Sequence, residues 1–136
     1  DLSKWNLSNV TNMSGMFQYA GYSATNWSIG DISNWNVSNV TNMSYMFNYA
    51  GYSATIFNLD LSNWYVLNIK DMRFMFSFAG YNTTTWILKT PVYIPTTVKI
   101  LYITTHKTYD LYHGTEFDAG DFPRGNNESI TLVKQL

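Results

Sequence analysis

The chain has 136 residues, enough for one domain that buries most of its apolar surface on folding. Charged residues make up 12% of it, against ~25% in an average globular domain, while aromatics reach 18%; 8 basic and 9 acidic residues leave a net charge of −1. That balance excludes an electrostatic footprint for nucleic acid or an anionic membrane, the lack of cysteine excludes disulfide scaffolds and thiol chemistry, and no apolar run approaches the ~18 residues of a membrane span.

From its first residue the chain repeats itself. Three units, residues 1–30, 31–59 and 60–88, align with eleven columns identical in all three, so the period is 30 and then 29 residues. A period of that size marks a supersecondary unit stacked in one dimension, in which each copy buries its apolar face against its neighbours.

Within a unit, the elements follow one another in a fixed order. Trp5, Trp35 and Trp64 stand at a corner of irregular spacing. Asn12, Asn42 and Asp71 follow, all good N-cap types, and Met13, Met16, Phe17 and Ala20 then fall at i, i+3, i+4 and i+7, as do their counterparts in the later units. This stripe predicts a two-turn helix, ended by Gly21, Gly51 and Gly80 at a left-handed C′ position. Phe57, Leu59 and Leu61 alternate with Asn58, Asp60 and Ser62, the pattern of a short strand with one buried face. The unit is thus expected to be strand, corner, helix and return loop, with successive strands paired in a parallel sheet and identical residues forming ladders of Trp, Met and Phe.

Residues 89–136 leave the pattern. All three prolines, both histidines and five of the eight basic residues lie there, with a strand-like run over 97–105, a turn at His113-Gly114 and a last β-like segment over 129–133. Val98, Ile100 and Tyr102 extend the sheet by alternation, while Pro91, Pro95 and the charged loop 110–127 stop further stacking, so this part is expected to be a β-rich C-terminal cap. Asp1 stands in register at the start of a unit, which suggests a segment of a longer array with an N-terminal cap upstream.

The pattern DxSNWxxSNVTNMSxMFxxA, recurring in register over residues 1–88, resembles the leucine-rich-repeat-like units of the BspA-like bacterial surface proteins, with Asp71 in place of the Asn before Met in the third unit. The resemblance implies a right-handed β/α solenoid with a parallel sheet, an extracellular or cell-surface location, and work as an adhesion or host-interaction module. It implies no catalytic residues. More weakly, Leu111-Tyr112-His113-Gly114, Pro123-Arg124-Gly125 and Ser129-Ile130-Thr131-Leu132 resemble the ending that follows the last such repeat, with His113 as an insertion.

Candidate chemistry is sparse. His106 and His113, with Asp110, Glu116, Asp118 and Asp121 nearby, match neither a zinc spacing nor an EF-hand loop, and no Gly-x-Ser-x-Gly elbow exists; a solvated cap loop is the better reading, with no metal, no cofactor and no enzyme activity expected. Asp1, Asp31 and Asp60 share one column, next to Lys89; each can hydrogen-bond to its own turn, or the column can accept a cation or a sugar hydroxyl. Asn9, Asn39 and Asn68 suit a ladder of amides onto neighbouring backbone. Tyr22, Tyr52 and Tyr81 follow each helix-ending glycine, where a Schellman contact would pack them inward; Tyr19, Tyr49 and Phe78 sit at the stripe's border and are expected to be wet.

The expectation is therefore a recognition module that binds a protein or carbohydrate through Tyr19, Tyr49, Phe78, Asp31 and Asp60. Nucleic acid is not an expected partner, nor is membrane insertion. The alternative is a stalk or fibre element that self-associates end to end by stacking of units.

Overall fold

A computed structural model describes residues 1–91, 93–95, 97 and 98, and the backbone of 103–104 and 131–133. The three units lie one on another in register. Each opens with tight turns held by a side chain two residues back: the Oδ1 atoms of Asp31, Asn36 and Asn42 accept the N–H groups of Ser33, Ser38 and Ser44 at 2.9–3.1 Å. Five strands follow in chain order: β1 (Ile56–Asp60), β2 (Phe76–Ser77), β3 (Thr85–Lys89), β4 (Ile103–Thr104) and β5 (Thr131–Val133). β1 and β3 pair in parallel with Phe57 opposite Trp86 and Leu59 opposite Leu88, the alternation expected from the sequence. The first unit contributes no strand to this sheet. It carries one extra residue, Gly30, between Ile29 and Asp31, and that insertion accounts for the slip from a period of 30 to 29.

The predicted helix does not form. No α-helix occurs among the described residues, and the stripe from Met43 to Ala50 is a run of turns. Its amides alternate in their use. The N–H groups of Met43, Tyr45, Phe47 and Tyr49 donate to the carbonyls of Asp71, Arg73, Met75 and Ser77 in the next unit at 2.8–3.0 Å, while those of Met46, Asn48 and Ala50 close turns onto residues three back. A helix would spend its interior N–H groups on itself; here every second one ties a unit to its neighbour. What breaks the helix is a left-handed residue at every fourth position: φ is +58° at Tyr45 and +59° at Tyr49, with Phe74 and Phe78 at +58° in the third unit. Asn12, Asn42 and Asp71, read as helix caps, do accept the amide two residues on, but in turns that lead into this run.

The core lies between the turn run and the strands. Met43, Met46, Phe47, Trp64, Met72, Met75, Phe76 and Trp86 are at most 1% exposed. The phenylalanines stack at 5.5 and 5.6 Å through Phe17, Phe47 and Phe76, and the tryptophans at 6.2 Å through Trp5, Trp35 and Trp64. Each inner indole also finds a partner below it: Nε1 of Trp64 donates to the Ile32 carbonyl and Nε1 of Trp35 to that of Leu2, both at 2.9 Å. Asn39 and Asn68 donate their amides to the Ser8 and Ser38 carbonyls at 2.6 and 2.7 Å, the amide ladder read from the sequence. Gly80 sits at φ +57° where a Cβ would come within 2.5 Å of Phe57 Cβ, so only glycine fits there.

Beyond the third unit the path continues before it closes. Tyr93 pairs in parallel with Tyr65, β4 pairs in parallel with β2, and Ile94 and Val98 are buried. β5 then runs antiparallel along β3, giving the sheet order β1-β3-β5 and occupying the edge on which a further parallel strand would add. The loop 110–127, both histidines and the acidic residues near them lie outside the described residues.

Candidate functional site

The left-handed positions of the turn run put aromatic rings on the surface. Tyr19, Tyr49 and Phe78 form one column, with centroids 4.9 and 4.7 Å apart and planes within 12° of parallel. Tyr22, Tyr52 and Tyr81 form a second at 4.8 and 5.2 Å. The columns touch: Tyr19 meets Tyr22 at 5.8 Å, Tyr49 meets Tyr52 at 5.7 Å and Phe78 meets Tyr81 at 5.5 Å. Six rings thus make one continuous aromatic face, with Tyr19 54% and Tyr22 40% exposed and the other four half-buried. The second column was expected to pack inward against a helix end; without a helix there is nothing to pack on, and it stacks on itself outside.

The geometry decides what this face can do. Because the rings of each column cover one another, the inner ones present edges and phenol hydroxyls, spaced by the distance between units. Burial holds the Tyr49 and Tyr52 phenols above their ordinary range, and neighbouring tyrosines add to the effect. They remain neutral and able to donate through the whole physiological range. Beside them, Gln18 Nε2 donates to Asn48 Oδ1 and Asn48 Nδ2 to the Ser77 carbonyl, both at 3.0 Å, a second polar ladder that fixes the turns under the rings.

Asp31 and Asp60 occupy a separate column, where the strand path enters the next unit. Oδ1 of each accepts both the N–H and the hydroxyl of the serine two residues on, Ser33 or Ser62, with hydroxyl distances of 2.6 Å. Oδ2 of Asp60 faces Lys89 Nζ at 3.8 Å, an exposed pair that contributes little. The local role is therefore met in full. The serine hydrogen bonds lower the pKa of both carboxyls below the usual 3.8. A depressed folded value means stability that is present above the unfolded pKa and lost as pH falls through the folded one. Thermal melting should accordingly stay level from pH 7 to about 5 and decline below about pH 4. Asp31→Asn with Asp60→Asn should keep the neutral-pH melting temperature, since Asn6 and Asn36 hold Ser8 and Ser38 in the same manner, and should flatten the acid limb. An acid limb identical in the double variant would assign it to other groups.

Among the described residues there is no group of three or more His, Cys, Asp or Glu that could hold a metal, and no helix long and apolar enough to cross a membrane. A crevice of about 460 Å³ is lined by Leu2, Phe17, Ala20, Trp27 and Ile29, whose counterparts in the second unit are buried; it is the outer face of the first unit. The sequence reading missed the part played by the second tyrosine column and the Tyr45–Phe74 pair, stacked at 5.1 Å. The signal for that pair was present in a column reading Gly15, Tyr45, Phe74.

Neither a curated protein nor a solved structure matches the chain. One family pattern does, over residues 1–89, which is the three stacked units and the first residue after them. The chain therefore belongs to the DUF285 family, described as Mycoplasma protein of unknown function.

Proposed function

We propose that this chain is a recognition module of an extracellular, cell-surface repeat protein of the BspA-like kind, a right-handed leucine-rich-repeat-like solenoid that binds a protein or glycan through its surface and performs no catalysis. One observation carries the reading. All five non-glycine residues with positive φ among the described residues are aromatic: Tyr19, Tyr45, Tyr49, Phe74 and Phe78. A left-handed side-chain-bearing residue costs roughly 1–2 kcal/mol, and glycine, which the same run uses at 21, 51 and 80, would avoid the cost. Ring stacking, worth about 0.5–1.5 kcal/mol per pair, offsets part of it. Surface rings kept at positions that disfavour side chains are consistent with selection for the face they make. Tyrosine edges and hydroxyls provide amphipathic contact area at low entropic cost, the composition of a protein-binding surface.

An array of glycans and matrix proteins probed with the parent and with a Tyr19→Ala, Tyr49→Ala, Phe78→Ala variant tests this. We expect at least one ligand captured by the parent and lost, by tenfold or more in affinity, in a variant that keeps its fold. Binding indifferent to the whole aromatic face, or substrate turnover abolished at His106 or His113, would contradict it. The alternative, a stalk or fibre element that stacks end to end, predicts concentration-dependent filaments instead.

A further inference from the structure

A second surface feature lies where one aromatic column stops short. Tyr45 stacks on Phe74 through one face of its ring, and in the first unit the same column holds Gly15, whose N–H donates to the Ser44 carbonyl at 2.9 Å directly below Tyr45's own position in the stack. With no ring there, a notch of about 320 Å³ opens between Tyr45, Ser14, Gly15, Gln18 and Ser44. Tyr45 is 42% exposed. Ser44 is 9% exposed, lines the notch, and its hydroxyl finds no hydrogen-bond partner among the described residues, although its N–H is held by Asn42. Water entering the notch can reach that hydroxyl, and a ligand hydroxyl placed there would take the water's position. Gln18 is fixed by its amide N–H to Asn48, which leaves Oε1 on the notch side, 3.3 Å from where a Gly15 Cβ would stand.

We propose that this notch is a subsite for one neutral pyranose ring. The lining has no charge, so it offers nothing to an anion or a cation; it offers one uncovered aromatic surface, two hydroxyls and an amide oxygen. A sugar ring matches that set: its axial C–H groups lie on Tyr45 while its hydroxyls reach Ser44, Ser14 and Gln18. The volume fits a monosaccharide and not a folded partner. The assignment rests on the recognition reading for its use, and adds to it a ligand class and a place distinct from the six-ring face.

The test uses the column itself. Gly15→Tyr restores the ring that the second and third units carry, at φ +65°, where Tyr45 and Phe74 tolerate +58°, and its Cβ meets only the flexible end of Gln18. Methyl β-glucoside, methyl β-galactoside and N-acetylglucosamine are titrated into the full chain and followed by saturation-transfer NMR, with thermal melting as the check on folding. We expect millimolar binding of at least one sugar, weakened tenfold or more in Gly15→Tyr and in Tyr45→Ala, and retained in Tyr45→Phe. Binding by none of the three sugars, or equal binding by parent and Gly15→Tyr, overturns the proposal. If that happens while the Tyr19, Tyr49, Phe78 variant still loses an array ligand, the recognition reading stands and the subsite alone falls. Loss of both removes the two together.

Discussion

Trp64→Ala is expected to destabilise the protein by about 3–5 kcal/mol and to lower its melting temperature by roughly 10 °C or more, the largest effect of any single truncation. The side chain is fully buried, stacks on Trp35 at 6.2 Å and donates Nε1 to the Ile32 carbonyl at 2.9 Å. Its removal leaves a cavity inside the stack and takes one of two donors from the Ile32 carbonyl, which keeps the Trp35 N–H at 3.2 Å, so the cavity is the main cost. Trp5, half exposed at the end of the same ladder, should cost no more than about 1 kcal/mol when truncated, because most of its surface is already in water. Equilibrium denaturation of both variants checks the contrast. Equal losses at Trp5 and Trp64 would mean that the stack does not bury its later units in the way described.

Deleting residues 89–136 is expected to have an effect of another kind, converting a cooperatively melting protein into one that aggregates. β3 would lose β5 and become an open edge, β2 would lose β4, and the core would lose the buried Ile94 and Val98. An exposed parallel edge beside apolar surface is a template for pairing with other copies. Light scattering and thermal melting of the 1–88 fragment decide it. A monomeric fragment with a sharp transition would show that the three units need no cover.

Much of this architecture was legible because ladders depend only on the period. Once the units are aligned, stacked Trp, Phe and Asn columns follow from identical residues at identical places, and the Trp and Phe rings sit 5.5–6.2 Å apart. The helix was misread for a physical reason. Inward residues at 43, 46, 47 and 50 satisfy a helical stripe, yet a run of turns with a left-handed residue every fourth position turns the same residues inward. Apolar spacing carries no information on the sign of φ, and Tyr and Phe are poor markers of a left-handed backbone, so Tyr45 and Tyr49 gave no warning. The misplacement of Tyr22, Tyr52 and Tyr81 followed from it, since their inward packing presupposed a helix end. Asp31 and Asp60, by contrast, carry out the local hydrogen bonding that their Asp-x-Ser spacing suggests.

The central claim is that binding is spread along aromatic columns built by repetition, and it is tested most directly by adding a repetition. A second copy of residues 31–59 inserted between Leu59 and Asp60 keeps every register and lengthens both columns by one tyrosine each. For a ligand captured by the parent, titration should show a folded protein whose Kd is lower by about fivefold or more, the equivalent of ~1 kcal/mol from one further pair of contacts. An unchanged Kd in a folded, lengthened protein would contradict the claim, and would confine recognition to a single spot.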